Sequence, residues 1–376
     1  MSKLFLPTKE QMDVMNENLA KIAAAVGSQV DISTWAGIQK AVRSGIAKDI
    51  LPVGTKLAVN HSVYGTRLFD VVAHDYLKSV HDENAHTMTI QQHDLLPGTQ
   101  FDASEAFYYA EAELPAGTYN FTLATAYGSW AEGTYQFTLT KPVPKGGQLA
   151  ISGYADAAMT ARQVRSYANQ TTTSATESVA ITAGSGGTNL GTFGEGLNHS
   201  HRVSYGSNNY KESAMRQFLN SSAAAGSVWT PQTKFDRPPS WLTSLAGYKN
   251  GLDQDFLAVV GKVVLPCSAN NTYEAPDSSI IKGTKYTLND EFYLASEMEI
   301  FNTNWDVADD SKVFPFYEGA GNADRIKYRD GSAAGWWLRT PYSGNAHNVR
   351  LVASDGTVNG DVAHGAYGLA PACTIV

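Results

Sequence analysis

The sequence contains little cysteine, which excludes a disulfide-built fold. Cys267 and Cys373 are the two cysteines among 376 residues. They are too few for a disulfide framework, and they lie too far apart in sequence for a zinc site of closely spaced cysteine pairs. The sequence is compatible with a single disulfide bond between these two cysteines.

Charge is also scarce, and basic charge does not dominate. Charged residues make up 17% of the chain, and 28 Lys and Arg stand against 36 Asp and Glu, giving a net charge of -8. A surface that tracks a phosphate backbone needs a basic excess, so nucleic acid is not an expected partner. No run approaches the roughly 18 apolar residues of a membrane span, so membrane insertion is not expected. Residues 1–7 show no secretory signal pattern.

Recognisable catalytic or metal-binding motifs are missing as well. His199 and His201 have no third ligand at a typical spacing, and Asp309 with Asp310 lacks the glycine and alternating ligands of a calcium loop. No serine lies in a strand-to-helix nucleophile elbow, and no glycine-rich phosphate loop occurs. The sequence therefore predicts a non-enzymatic protein with no cofactor and no metal.

Aromatic and aliphatic residues are abundant enough for a large core. The chain is 43% hydrophobic, with 19 Tyr, 14 Phe and 7 Trp. Apolar residues at spacings of three and four predict a helix over residues 8–26, and a second helix is predicted over 33–47. The heptad pattern of the first helix is typical of oligomer contacts, so a homotrimer through an N-terminal helical element, residues 1–48, is one expectation. The other expectation is that this helix packs against the rest of its own chain.

From residue 51 the pattern changes to short runs rich in Val, Thr, Tyr and Phe, which predict β-structure. Strands are predicted over 56–59, 67–72, 87–91, 106–112, 118–125 and 134–140, with a β-rich insertion at about 98–155. Residues 167–192 are rich in Ser, Thr, Ala and Gly and are predicted to form an exposed loop. Short helices are predicted over 213–220, 240–245 and 253–260, and Ser296 with Glu299 predicts a capping box.

The C-terminal segment, residues 336–376, combines a stiff framework with weakly patterned polar positions. Trp336, Trp337, Arg339 and Pro371 are predicted to be framework residues beneath a binding face. The predicted ligand-binding positions are Tyr342, Asn345, His347, Asn348, Leu351, Ala353, Thr357, Asn359, Gly360, Asp361, Val362, His364, Gly365 and Tyr367.

This segment resembles the variable proteins of diversity-generating retroelements of bacteriophages and bacteria. The runs 202–210, 213–220, 235–241 and 325–328 resemble the scaffold of the same family. In that family, reverse transcription randomises adenines, so that an Asn codon becomes any of the residue types found at the predicted positions.

The resemblance implies an α+β fold in which residues 49–376 form a C-type-lectin-like domain. It also implies a hypervariable receptor-binding protein or adhesin on a phage tail or bacterial surface, whose partner is a protein or glycan on a bacterial surface. Two alternatives remain: a structural virion protein with no recognition face, and an oxidase like the formylglycine-generating enzymes, which needs a cysteine pair in its site.

Overall fold

A computed structural model of the chain describes residues 30–123, 131–152, 162–193, 199–269, 284–303, 309–343 and 345–376. In these ranges the protein is a strand-rich α+β protein with short helices. None of the described helices is long and apolar enough to cross a membrane. The helix predicted over residues 8–26 lies outside the described residues.

The helices are α1 (Trp35–Arg43), α2 (Ala47–Ile50), α3 (His199–Tyr205), α4 (Ala214–Leu219), α5 (Gln254–Leu257), α6 (Glu297–Phe301) and α7 (Asn322–Arg325), with 3-10 turns at Ser240–Thr243, Tyr248–Gly251 and Pro315–Tyr317. The strands are β1 (Lys56–His61), β2 (Gly65–His74), β3 (Met88–Gln92), β4 (Leu96–Gln100), β5 (Ala106–Tyr109), β6 (Gly117–Leu123), β7 (Gly133–Leu139), β8 (Gln148–Ser152), β9 (Gln163–Tyr167), β10 (Glu177–Ala180), β11 (Thr182–Ala183), β12 (Thr188–Phe193), β13 (Val263–Ala269), β14 (Thr284–Asp290), β15 (Phe292–Tyr293), β16 (Lys327–Arg329), β17 (Ser332–Ala334), β18 (Trp336–Pro341), β19 (Asn348–Val352), β20 (Val358–Val362), β21 (Ala366–Leu369) and β22 (Ala372–Ile375).

The helix predicted over 33–47 is two helices. Thr34 caps α1, since its hydroxyl oxygen accepts a hydrogen bond from the Gly37 N–H at 3.1 Å. The chain leaves α1 at Ser44 and turns through Gly45, whose φ of +74° is readily adopted by glycine. One stripe of α1, including Ile38 and Val42, packs into the main core.

Two five-stranded sheets organise the main body. The first has the strand order β1-β2-β3-β22-β15 and is antiparallel throughout. The second has the order β20-β19-β18-β21-β4, in which β18 and β21 run parallel. The C-terminal strand β22 thus lies inside the first sheet, between β3 and β15, which are far apart in sequence. Ile90 on β3 pairs with Cys373 on β22.

A separate hydrophobic core belongs to a β-rich unit that contains β5 to β12, in the region predicted to be an insertion. It contains two four-stranded sheets, β10-β9-β8-β5 and β11-β7-β6-β12. Phe107, Phe121, Phe137 and Leu149 are among its buried residues. The β-structure of this unit extends to residue 193, because β9 to β12 pair with the strands that precede them.

The prediction of a loop over 167–192 is wrong for its second half. Strand β12 pairs in parallel with β6, and β11 pairs with β7. The amide nitrogen of Asn120 donates to the carbonyl oxygens of Ser185, Gly186 and Gly187 at 3.2, 3.0 and 3.2 Å. Residues with weak β-propensity are therefore ordered by their partners.

Two of the short helices begin at side-chain caps. Ser213 caps α4, and Ser296 with Glu299 forms the expected capping box at the start of α6. His199 and His201 belong to the helical segment α3.

Candidate functional site

Three of the four framework residues lie on β18, the middle strand of the second sheet. Trp336, Trp337 and Arg339 on β18 are all buried, as is Pro371 before β22. The Trp337 indole N–H donates to the Thr99 carbonyl oxygen at 2.9 Å. Each large aromatic ring therefore buries its apolar body while its polar edge is hydrogen-bonded.

The two tryptophans support opposite faces of this sheet. Successive strand residues point to opposite faces. Trp337 belongs to the main core together with Val349 and Leu351, whereas Trp336 belongs to a further core together with Val352. Both faces of the sheet are therefore covered near β18. Among the described strands, β20 is an edge strand of this sheet. We call β20 and the side chains around it the rim.

The first face of this rim carries Asn359, Asp361 and Tyr367. Asn359 pairs with Leu351 and Asp361 pairs with Val349, so these polar side chains share the face of the Trp337 core. The Tyr367 hydroxyl donates to Asp361 Oδ2 at 2.6 Å. Burial first, and then Asp361, raises the pKa of Tyr367 to about 12. The phenol therefore stays protonated as a donor at neutral pH.

The Tyr367 ring is held in place by its contact with Trp337. Its ring lies edge-on to Trp337 with 4.8 Å between centroids. A Cβ at Gly335 would come within 2.9 Å of the Tyr367 ring, and a Cβ at Gly365 would come within 3.4 Å of it. Two glycines therefore make room for this aromatic residue.

Two side chains of β20 accept hydrogen bonds from backbone N–H groups of the same strand. Asn359 Oδ1 accepts a hydrogen bond from the Gly360 N–H at 2.8 Å, and Asp361 Oδ1 accepts one from the Val362 N–H at 2.7 Å. Unpaired N–H groups on an edge strand invite pairing with another chain. These two side chains therefore protect the edge, which leaves side chains as the groups available for recognition.

The second face of the rim carries Tyr342, Arg350 and Gly360. Gly360 pairs with Arg350 in the register of β19 and β20. The Arg350 guanidinium lies 4.6 Å from the centroid of the Tyr342 ring, and its Nε lies 3.4 Å from Glu297 Oε1. A Cβ at Gly360 would be 3.4 Å from the Tyr342 ring, so a larger residue there would contact that ring.

The turn before β19 is held by amide side chains. Asn345 Oδ1 accepts hydrogen bonds from the N–H groups of His347 and Asn348, at 3.1 and 2.7 Å. The buried Asn208 donates to the carbonyl oxygens of Asn345 and Asn348, at 2.8 and 3.0 Å. Asn345 thus has a structural role in this turn.

His347 and His364 stack on Tyr205 at the end of the rim. The ring centroids lie 4.9 and 5.6 Å from that of Tyr205, which is itself buried. Burial lowers the pKa of His364, although the Tyr205 backbone and Asp361 oppose this effect. His364 is therefore held mainly neutral at neutral pH.

The predicted positions do not form one flat face. Leu351 is 1% exposed and His347 is 7% exposed, so neither presents its side chain to solvent, and both are removed from the predicted surface. Strand alternation explains Leu351, since it faces the Trp337 core. Ala353 and Thr357 lie at the far turn, where Asp355 accepts hydrogen bonds from Thr357. Val362 is half-buried.

We define the recognition edge as the two exposed or half-buried clusters that flank β20. Its members are Tyr342, Arg350, Asn359, Gly360, Asp361 and Tyr367.

Three residues of this region were not among the predicted positions. Arg350 forms part of the edge, and Tyr205 with Asn208 holds the loops behind it. The run containing Tyr205 and Asn208 carries part of the family resemblance, but its sequence alone gives no sign that it contacts residues 345–364. A long-range contact of this kind is not visible in local pattern.

The cysteines are free thiols, so the bridge left open from the sequence is not formed. Both are buried, and burial raises the pKa of Cys267 to about 12 and that of Cys373 well above its usual range. Neither thiol is therefore an activated nucleophile at neutral pH. Within the described ranges, no three His, Cys, Asp or Glu side chains are grouped to hold a metal ion. Asp309 instead lies beside Arg339, and Asp310 pairs with Lys285.

Fold and site together define a strand-rich α+β protein with a polar rim on a doubly covered sheet. The chain belongs to the family described as Domain of unknown function (DUF6273), whose model matches residues 176–376. That range contains the whole recognition edge. Neither a curated protein nor a solved structure matches the chain.

Proposed function

We propose that this protein is a non-enzymatic recognition protein that binds its target through the recognition edge. The proposed scaffold is C-type-lectin-like, and the proposed target is a protein or glycan on a bacterial surface. The protein would be displayed on a phage tail or a bacterial surface. Residues 8–26 are proposed to join three copies.

One observation carries the proposal: the tandem tryptophans place a packed core behind each cluster of the recognition edge. Rigid support with exposed Tyr, Asn and Gly suits recognition, because aromatic side chains supply contact area at low entropic cost and amides adapt their hydrogen bonds. Asn359, Gly360 and Asp361 lie outside both cores, so substitutions there leave the core side chains unchanged. The surface can therefore vary without unfolding the sheet.

Diversification by a retroelement is part of the proposal. The positions best placed to vary are Tyr342, Asn359, Gly360, Asp361 and Tyr367, since each reaches solvent at least in part. Leu351 and His347 are constrained by packing, and Asn345 by its turn.

The two alternatives have less physical support. An oxidase of the formylglycine-generating kind would need an accessible cysteine pair, whereas both thiols are buried. A purely structural virion protein would have no use for a polar, glycine-containing rim above a dedicated framework.

The gene's surroundings test the diversification directly. We expect a reverse transcriptase gene and a near-copy of the last hundred or so bases of the coding sequence, with differences confined to adenines of the copy. Their absence from a complete genome would contradict diversification.

Binding is tested with a displayed library in which the recognition edge is randomised. The matched control library randomises exposed residues of β10 and β12 in the insertion. Selection on intact bacteria should enrich clones from the first library with sequences specific to each strain. Equal enrichment from both libraries, or none from the first, would contradict the proposal.

A further inference from the structure

The structure contains a pocket that shares no residue with the recognition edge. A pocket of about 80 Å³ opens where β2 and the β3–β4 turn meet the ribbon β16–β17. Its lining includes Asp70, His93 and Lys327, with Phe316 and Tyr328 as aromatic walls.

A histidine and a buried carboxylate form one side of the pocket. His93 Nδ1 lies 2.7 Å from Asp70 Oδ2, and the Asp70 side chain is 3% exposed. On the other side of the imidazole, Nε2 lies 3.3 Å from the Lys56 ammonium. Because an ammonium can only donate, Nε2 accepts and Nδ1 carries the proton that is donated to Asp70.

The second oxygen of this carboxylate has no such donor. Asp70 Oδ1 is buried and accepts no hydrogen bond from any residue in the described ranges. Leaving a buried acceptor unsatisfied is costly, and more so for a charged group. The neighbouring Lys327 does not satisfy it, since its ammonium donates to the carbonyl oxygens of Gln92 and His93 at 2.7 and 3.1 Å.

The electrostatic balance of the pocket favours a further cation. Asp70, Asp94 and Asp324 contribute three carboxylates to the lining, against the ammonium groups of Lys327 in the lining and of Lys56 beside His93. Burial lowers the pKa of Lys327 to about 8, so this ammonium is still mostly charged at neutral pH. A bound cation would offset the remaining negative charge.

We propose that this pocket binds a primary ammonium group on a short apolar stem. The ammonium pairs with the Asp70 carboxylate, whose Oδ1 lacks a hydrogen-bond donor, and the stem packs between Phe316 and Tyr328. A guanidinium suits the pocket less well, because it favours a two-pronged contact with both carboxylate oxygens and His93 already occupies Oδ2. A neutral alcohol lacks the charge that the carboxylates select.

The test is a calorimetric titration of the full-length protein at pH 7 and constant ionic strength. The probe is n-butylammonium chloride, compared with n-butanol and n-butylguanidinium chloride. We expect saturable binding of the ammonium and at least about tenfold weaker binding of the other two. Absence of saturable binding, or equal binding of n-butanol, would overturn the proposal.

Variants locate the binding. Asp70→Asn keeps the shape of the side chain and removes its charge, and we expect the affinity for n-butylammonium to fall at least about tenfold. Tyr328→Ala removes an exposed wall with little risk to folding, and should weaken binding several-fold even if Asp70→Asn does not fold. The control is Asp255→Asn, which removes an exposed carboxylate on α5 and should bind as the wild type does. Unchanged affinity in Tyr328→Ala, or equal loss in the control, would refute the assignment. The recognition-edge library tests different residues, so the two proposals can fail separately.

Discussion

Replacing Arg339 by methionine should remove the cation at the centre of the framework. Its guanidinium donates to both carboxylate oxygens of Glu299, at 2.6 and 2.9 Å. It also donates to the carbonyl oxygens of Pro266 and Leu294 and to the Ser311 hydroxyl. The pair is buried, with side-chain exposures of 1% for Arg339 and 0% for Glu299. The substitution therefore leaves two carboxylates, those of Glu299 and Asp309, in the interior without this counter-charge.

Breaking a buried pair from one side typically costs about 3–5 kcal/mol, because the remaining charge stays desolvated. We expect the free energy of unfolding of Arg339→Met to fall by about that amount. The double variant Arg339→Met with Glu299→Gln removes the cation and one of its two carboxylates and leaves Asp309, and we expect it to lose less than Arg339→Met alone. The Ser296 N–H donates to Glu299 Oε2 at 2.8 Å, and because Arg339→Met leaves Glu299 in place, we expect the helix cap to be retained in the single variant.

The assay is urea unfolding at pH 7 followed by tryptophan fluorescence, with linear extrapolation to water. The control is Lys285→Met, which breaks an ion pair whose side chains are 48% and 71% exposed. Exposed pairs contribute about 0–1 kcal/mol. If Arg339→Met lost no more than Lys285→Met, the reasoning that the pair is a desolvated framework element would be refuted.

Three further predictions concern the rim. Tyr367→Phe should lower the free energy of unfolding by about 1 kcal/mol in the same assay, because the hydrogen bond to Asp361 is lost; an unchanged value would show that this bond contributes nothing. Replacing Asn359 and Asp361 together by alanine should uncap the edge and give concentration-dependent association in light scattering, and a mass equal to that of the wild type at every concentration would contradict edge protection. The folded state disfavours protonated His364, so below its usual pKa of about 6.5 the unfolded chain binds more protons and stability falls with falling pH. His364→Gln should therefore lose less melting temperature than the wild type between pH 7.5 and 5.5, and an equal loss would argue against a buried neutral imidazole.

Local alternation was sufficient to predict many of the strands. The predicted strands 118–125 and 134–140 match β6 and β7 within two residues. Tyr119, Phe121 and Leu123 alternate with polar residues and face one core, so the pattern is visible without knowledge of the partner strand.

Strands that depend on distant partners could not be predicted in this way. Residues 182–193 contain Gly, Ser and Thr with few apolar anchors. A Cβ at Gly187 would lie 1.8 Å from the Thr118 carbonyl oxygen, so close packing against β6 requires glycine there. In the local sequence, Gly187 is typical of a loop. The structure shows instead that glycine is needed there because the backbone packs against a strand about seventy residues earlier.

The candidate site was predictable as a region but not as a set of side chains. Leu351 and Asn359 lie opposite each other and face the same way, yet one is covered by the core and the other reaches solvent. The difference comes from the position of each strand in the sheet, which no local pattern encodes. The pocket at Asp70 and Lys327 was missed for a similar reason, since its two sides come from opposite ends of the chain.

Strand β22 has a consequence for how the protein is made. It lies between β3 and β15, and the hydroxyl groups of Thr89 and Thr374 meet at 3.2 Å across 285 positions of sequence. Until residue 372 has been synthesised, β22 cannot pair with β3 and β15. The apolar side chains of these two strands then stay exposed to water. Such long-range closure slows folding and lengthens the time during which chains can aggregate. Slow synthesis at low temperature with added chaperones should therefore improve the yield of soluble material.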